Sequence, residues 1–251
     1  MPVPVFEGTV ASTGHTATTS FVATAPGSIA SGELLLWIIM ADNDSGSNPV
    51  SVTWPGAWAE LLDDAAAGQE VTIAAAWLRA GGSEPGTYTA TISSAQDGAS
   101  HIFRISGDNT GSAPEASTVV STSNSTTHDP PSFSPSWGAD DVGIVEFLGC
   151  YDSTTTLTNA STGYTANPTN PTVTGAGVNL GWLMTATRTA TALTTEDPDA
   201  IDISQDWGTT AFVVIRGAAA ASGSIIAGHL AGPGGLAGPG GLAGNHGGIA
   251  G

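Results

Sequence analysis

Few side chains in this sequence are spaced for chemistry. The five histidines, His15, His101, His128, His229 and His246, fall in no metal-ligand pattern such as H-E-x-x-H. There is no Gly-x-Ser-x-Gly nucleophile turn, no phosphate-cradling loop and no dinucleotide fingerprint. The run Asp42, Asn43, Asp44, Ser45, Gly46 approaches a calcium loop, but its glycine comes one place early and the closing glutamate is missing. Glu196, Asp197, Asp199 and Asp202 form a second acidic cluster that reads the same way, as a solvated turn. Asp63-Asp64 and Asp140-Asp141 are paired carboxylates of the kind glycoside hydrolysis uses. Adjacent strand residues point to opposite faces, however, so neither pair converges by itself. These residues predict a protein that is not an enzyme and holds no cofactor or metal.

Binding chemistry has better candidates. Trp54, Trp58 and Tyr164 lie in short Pro/Gly/Ser turns, where an aromatic ring can stack on a sugar. The competing reading is that they plug the open end of a β-sandwich. Asn124-Ser125-Thr126 and Asn159-Ala160-Ser161 match a glycosylation sequon but mean little without a secretory signal. Cys150, the single cysteine, sits in an apolar run and reads as a buried thiol.

The elements that position these residues read as strands. Charged residues are 10% of the 251-residue chain, against roughly 25% in ordinary soluble domains. Thr, Ser, Ala and Gly take their place, lysine is absent, and hydroxyls rather than charges keep the outer strand faces wet. Residues 34–40 and 142–150 are near-continuous apolar runs, as in central strands covered on both faces. Val71, Ile73, Ala75 and Trp77 alternate as in a half-buried strand, while 88–92 and 201–203 read as short edge strands. Pro/Gly/Asn clusters at 42–50, 81–86, 107–115 and 165–171 read as loops. With no periodic helix, an all-β antiparallel sandwich or jelly roll follows.

The pattern occurs twice. Ala25-Pro26-Gly27-Ser28 leads through Gly32-Glu33 into one apolar run; Pro130-Pro131-Ser132-Phe133 leads through Gly138-Ala139-Asp140-Asp141 into the other. Trp54-Pro55-Gly56-Ala57-Trp58 answers to Ser161-Thr162-Gly163-Tyr164, and the strand ending at Arg79 to residues 178–184, which lead on to Arg188. The segment 101–107 matches 211–217, and all four arginines fall at comparable places, Arg79 with Arg188 and Arg104 with Arg216. Corresponding points lie roughly 105–112 residues apart, a domain-sized repeat. This predicts one β-sandwich half or domain over 1–110, a second over 111–217, and a tail over 218–251.

In the tail, glycine recurs at every third position: Gly232, Gly235, Gly238, Gly241, Gly244 and Gly247. Leu230, Leu236 and Leu242 recur every sixth residue, so a three-per-turn helix would line them along one side. A collagen-like trimer, polyglycine-like strands packed on sister chains or another subunit, and a flexible linker are the three readings. Ordering so glycine-rich a segment loses much entropy, so order there requires partners. A homo-oligomer, with a trimer favoured, is the expectation.

Net charge is −18. Such a surface repels phosphate backbones and anionic headgroups, so neither nucleic acid nor membrane is expected as a partner. No apolar run approaches the ~18 residues of a membrane span. The N-terminus has no signal-peptide pattern, which predicts synthesis in a cytoplasm.

The segments Gly32-Glu33-Leu34-Leu35-Leu36-Trp37, Val52-Thr53-Trp54-Pro55-Gly56-Ala57-Trp58 and Ala76-Trp77-Leu78-Arg79-Ala80 resemble a β-sandwich pattern of tailed-bacteriophage virion and prophage proteins. The Ala-Gly-Pro-Gly-Gly-Leu tail is similar to glycine-rich ends of phage fibre and decoration proteins. The resemblance covers most of 25–107, more faintly 130–217, and separately the tail; Glu33 stands where the pattern often has aspartate. It implies a structural or host-recognition role, as a capsid-decoration, head-fibre or tail-fibre subunit located in the virion. Its partners would be other virion proteins and host-surface glycans, and no catalytic residue comes with it. A bacterial extracellular carbohydrate-binding or matrix module is the alternative.

Overall fold

The structure is a computed structural model that describes residues 2–43, 50–64, 70–151, 156–167 and 181–219. The chain divides into a compact unit over residues 1–220 and a second unit over 221–251. The tail residues Leu230, Gly232, Gly235, Leu236, Gly238, Gly241, Leu242 and Gly244 lie outside the described residues, as do 44–46 of the calcium-like run and 178–180 of the second repeat.

Every regular element among the described residues is a strand. The first half contains β1 (Val5–Phe6), β2 (Ala11–Thr24), β3 (Leu34–Asp42), β4 (Val52–Thr53), β5 (Ala59–Asp63), β6 (Val71–Arg79) and β7 (Thr87–Ser106). The second contains β8 (Glu115–Ala116), β9 (Val120–His128), β10 (Asp140–Cys150), β11 (Leu157–Asn159), β12 (Thr165–Ala166), β13 (Trp182–Leu193) and β14 (Ile201–Arg216). Each half makes one seven-stranded antiparallel sheet. Its last strand pairs with its first, second, third and fourth strands, and its sixth lies between the third and fifth. The two topologies are identical strand for strand: β1 answers to β8, and so on to β7 and β14.

The two sheets pack face to face. Leu34, Leu36, Ile38 and Met40 from β3 and Val71, Ile73 and Ala75 from β6 form one buried cluster with Val145, Phe147, Leu183, Ala211, Val213 and Ile215 of the second half. The alternate residues of β3 and β6 face the other way, into a core made by the first half alone. That core is closed because β7 is long enough to serve two layers. Its C-terminal part lies beside β3, while Tyr88, Ala90 and Ile92, with Phe21 and Ala23 of β2, cover Leu35, Trp37 and Ile39. The segments 88–92 and 201–203 are therefore the leading parts of long strands rather than separate edges. Likewise β6 is buried on both faces up to Ala76, not half-buried, because a layer lies against each side.

Where β7 turns from one layer to the other, its pairing with β2 slips between His15 and Ser20. Ala17 takes the left-handed conformation there, with φ of 42°, and its N–H donates to Asp97 Oδ1 at 2.7 Å. Asn124 in β9 has φ of 45° at the matching place. Thr18 Oγ1 accepts from Ser20 N (3.0 Å), and Ser125 Oγ from Thr127 N (3.1 Å), so both corners carry the same hydroxyl clamp. The glycine following each corner is required. A Cβ on Gly98 would lie 2.3 Å from Met40 O and 2.7 Å from the Phe21 ring; one on Gly208 would lie 2.6 Å from the His128 ring.

Arg104 lies 3.8 Å from Glu33 and Arg216 lies 2.5 Å from Asp140, but Arg104 stands opposite Leu35 and Arg216 opposite Val142, two residues apart in the repeat. Arg79 and Arg188 do not correspond, contrary to the sequence alignment. Arg79 stands opposite Leu34 and pairs with Asp108, whereas Arg188 stands opposite Ile144 and pairs with Glu196. Leu35, not Leu34, occupies the place of Ile144, so the two arginines are one residue out of step and point to opposite faces. At the end of β14, Gly217 bridges Asp108, and Ala218 N donates to Gly107 O at 2.9 Å.

Candidate functional site

The aromatic turns fall in equivalent places. Trp58 N donates to Pro55 O (2.9 Å) and Tyr164 N to Ser161 O (3.0 Å), so one tight turn carries both rings inward over the outer face of the middle strand. In the first half, Trp37 meets Trp54 at 5.4 Å and Trp58 at 5.3 Å, both edge to face, and Trp58 meets Tyr88 at 5.1 Å. Such edge-to-face contacts add about 0.5–1.5 kcal/mol each beyond burial. Trp58 is only 8% exposed. Its ring faces are spent on neighbours, which is the geometry of a plug rather than of a stacking platform.

A shallow depression of about 390 Å³ lies over this plug, with Pro55, Trp58, Leu78, Pro85 and Tyr88 among its lining. Its polar groups are already engaged. Tyr88 Oη donates to Glu84 Oε2 at 2.6 Å, and Glu84 Oε1 accepts from Gly81 N at 2.6 Å.

Tyr164 belongs to a polar cluster instead. Its hydroxyl donates to Glu196 Oε1 at 3.0 Å, Arg188 Nη1 donates to the same oxygen at 2.7 Å, and the guanidinium lies 5.7 Å over the tyrosine ring. Beside them Glu146, wholly buried on β10, has Ser161 Oγ at 2.9 Å from its Oε1. Ser161 Oγ also lies 2.5 Å from the Asp199 carbonyl. A hydroxyl has one proton, so if Ser161 donates it to that carbonyl, a protonated Glu146 donates to Ser161 in turn. Burial drives the Glu146 carboxyl in that direction, up to about 7, although Ser161 hydrogen bonds oppose the shift and the nearby Glu196 charge adds to it.

A buried carboxyl whose pKa is raised is a group that acid–base catalysis uses. Here, though, Glu146 is 0% and Glu196 2% exposed, and a substrate needs a route that these residues do not offer. Three of the paired carboxylates, Asp63, Asp140 and Asp141, are committed too. Asp63 Oδ2 accepts from Val52 N, Asp140 pairs with Arg216, and Asp141 Oδ1 accepts from Ala192 N. Cys150 is buried, and desolvation drives its thiol upward, away from a reactive thiolate. Among the described residues, no three His, Cys, Asp or Glu side chains are grouped to hold a metal ion.

One aromatic escaped the sequence reading. Trp207 is 38% exposed and lines a pocket between β6, β9 and β14. A lone tryptophan in the polar run Ser204-Gln205-Asp206-Trp207 gives no periodic signal, so only the strand pairing reveals its neighbours.

Compared with known proteins, the chain matches no family model, no curated protein and no solved structure.

Proposed function

We propose that this chain is a non-catalytic structural subunit of a tailed-bacteriophage virion, of the capsid-decoration, head-fibre or tail-fibre type, working as an oligomer in contact with other virion proteins. One observation carries the reading: a sandwich whose strands are complete by Arg216 is followed by a segment with glycine at every third position over 232–247. The first part supplies a rigid body whose buried acids and aromatics are engaged with each other. The second has the composition of a segment that gains order only against neighbouring chains. Host-surface glycans are the external partner that fits a net charge of −18, which discourages anionic ligands.

Native mass determination of the full chain and of a version ending at residue 219 tests the assembly. The expected result is an oligomer, a trimer by the glycine-triplet reading, that becomes a monomer on truncation with its melting transition preserved. A monomeric full chain, or an oligomer indifferent to truncation, would remove the basis for the reading.

A further inference from the structure

The pocket beside Trp207 has the composition of a sugar site. It encloses about 220 Å³ and is formed by both halves, with Val71 and Gly208 in its lining. Ser121, Ser123 and Thr209 bring three hydroxyls, and Glu70 brings a carboxylate. Ser121 Oγ lies 2.9 Å from Thr209 Oγ1, and Thr209 Oγ1 donates to Val71 O at 3.4 Å, so two of the hydroxyls are already oriented. One carboxylate oxygen of Glu70 is buried and accepts no hydrogen bond among the described residues.

The internal repeat supplies a control for Trp207. Gln96 pairs with Thr18 and Gly98 with His15 in the first half; Asp206 pairs with Ser125 and Gly208 with Thr122 in the second. Asp97 and Trp207 are thus the same position. In the first half that position serves the fold, since Asp97 holds the left-handed Ala17. In the second, Asn124 tolerates the left-handed conformation without such a prop. The position is released from the corner, and it carries an exposed indole at a pocket edge.

We infer that this pocket binds one neutral pyranose ring of a glycan, stacked on the indole of Trp207 with its hydroxyls on Glu70, Ser121 and Ser123. An indole face suits the C–H face of a sugar, and hydroxyls and a carboxylate suit its rim. The strongly acidic surface excludes sialic or uronic acids. The inference rests on the glycan contact proposed above and is independent of the assembly. It also moves that contact away from Trp54, Trp58 and Tyr164.

The test is saturation-transfer NMR on the full chain with a panel of neutral methyl pyranosides. A single ring predicts a dissociation constant on the order of 1 mM for the best of them. Trp207→Ala is expected to weaken binding at least tenfold and Glu70→Gln severalfold, with the melting transition of each unchanged. Ser123→Phe, at an exposed position, crowds the pocket and removes binding. Trp58→Phe leaves it intact. Binding that survives both Trp207→Ala and Ser123→Phe overturns this site while leaving glycan contact standing elsewhere. No binding of any panel member overturns both, whatever the native mass shows about assembly.

Discussion

Glu146 stands where Trp37 stands. Trp37 lies between Ile102 and Ala76 in the middle of its sheet, and Glu146 lies between Phe212 and Ala186 at the matching point of the other. The same backbone site thus holds the hub of an aromatic cluster in one half and a buried acid in the other.

The acid makes stability depend on pH. The Glu146 carboxyl is raised from 4.5 to about 7 on folding, so the native state keeps a proton that the unfolded chain has lost. Its contribution is full below pH 4.5 and is lost progressively as pH rises through about 7. Urea titrations of the wild type and Glu146→Gln across this range are expected to diverge, with the variant gaining relative stability toward pH 8. Parallel curves would mean that Glu146 is ionised throughout.

His101 acts in the opposite sense. It is buried between the sheets, its Nδ1 2.8 Å from Thr185 Oγ1, and desolvation lowers it from 6.5 to about 3. The unfolded chain takes up a proton that the folded one refuses, so stability present above pH 6.5 is lost as pH falls toward 3. Burial lowers His15 and His128 too. His101→Asn is expected to lower stability at pH 7 but to lessen the acid-induced loss between pH 6 and 4, read by circular dichroism.

The corner at Ala17 stores strain. An alanine in the left-handed region costs roughly 1–2 kcal/mol. Ala17→Gly is therefore expected to stabilise by about 1 kcal/mol, and Asn124→Ala, at the other corner, to destabilise by a similar amount. Denaturant midpoints read both signs.

Gly98 has no room for a methyl group. With Met40 O only 2.3 Å from its would-be Cβ, the strand must shift, and Gly98→Ala is expected to cost about 3 kcal/mol or more. An unchanged melting transition would show that β3 and β7 are less tightly seated than their spacing implies.

Physical reasons divide what the sequence disclosed from what it hid. The middle strands β3 and β10 are legible because burial on both faces demands unbroken apolar runs. The turn at Trp58 and Tyr164 is legible from its small residues and its aromatic. Strands β2 and β9 are not, since their Thr- and Ser-rich residues become strand by pairing along β7 and β14. Trp77 and Trp182 look equivalent in an alignment of small residues. Yet Trp77 lies opposite Leu36 and Trp182 opposite Cys150, positions five residues apart in the repeat. Arg79 and Arg188 are out of step by a different amount, one residue. The Glu146 cluster was hidden for another reason: Glu146, Ser161 and Glu196 are far apart in the chain and meet only through the sheet.

The shared cluster between the sheets limits how such a protein can be shortened. Cutting the chain near residue 111 would hand each piece a wall of Leu36, Ile38 and Ile73, or of Val145, Phe147 and Val213, facing water. Either fragment would have to find a second copy of itself to cover that wall. A single repeat of this fold would on that account have to live as a pair, and carrying two repeats in one chain frees that partnership from concentration.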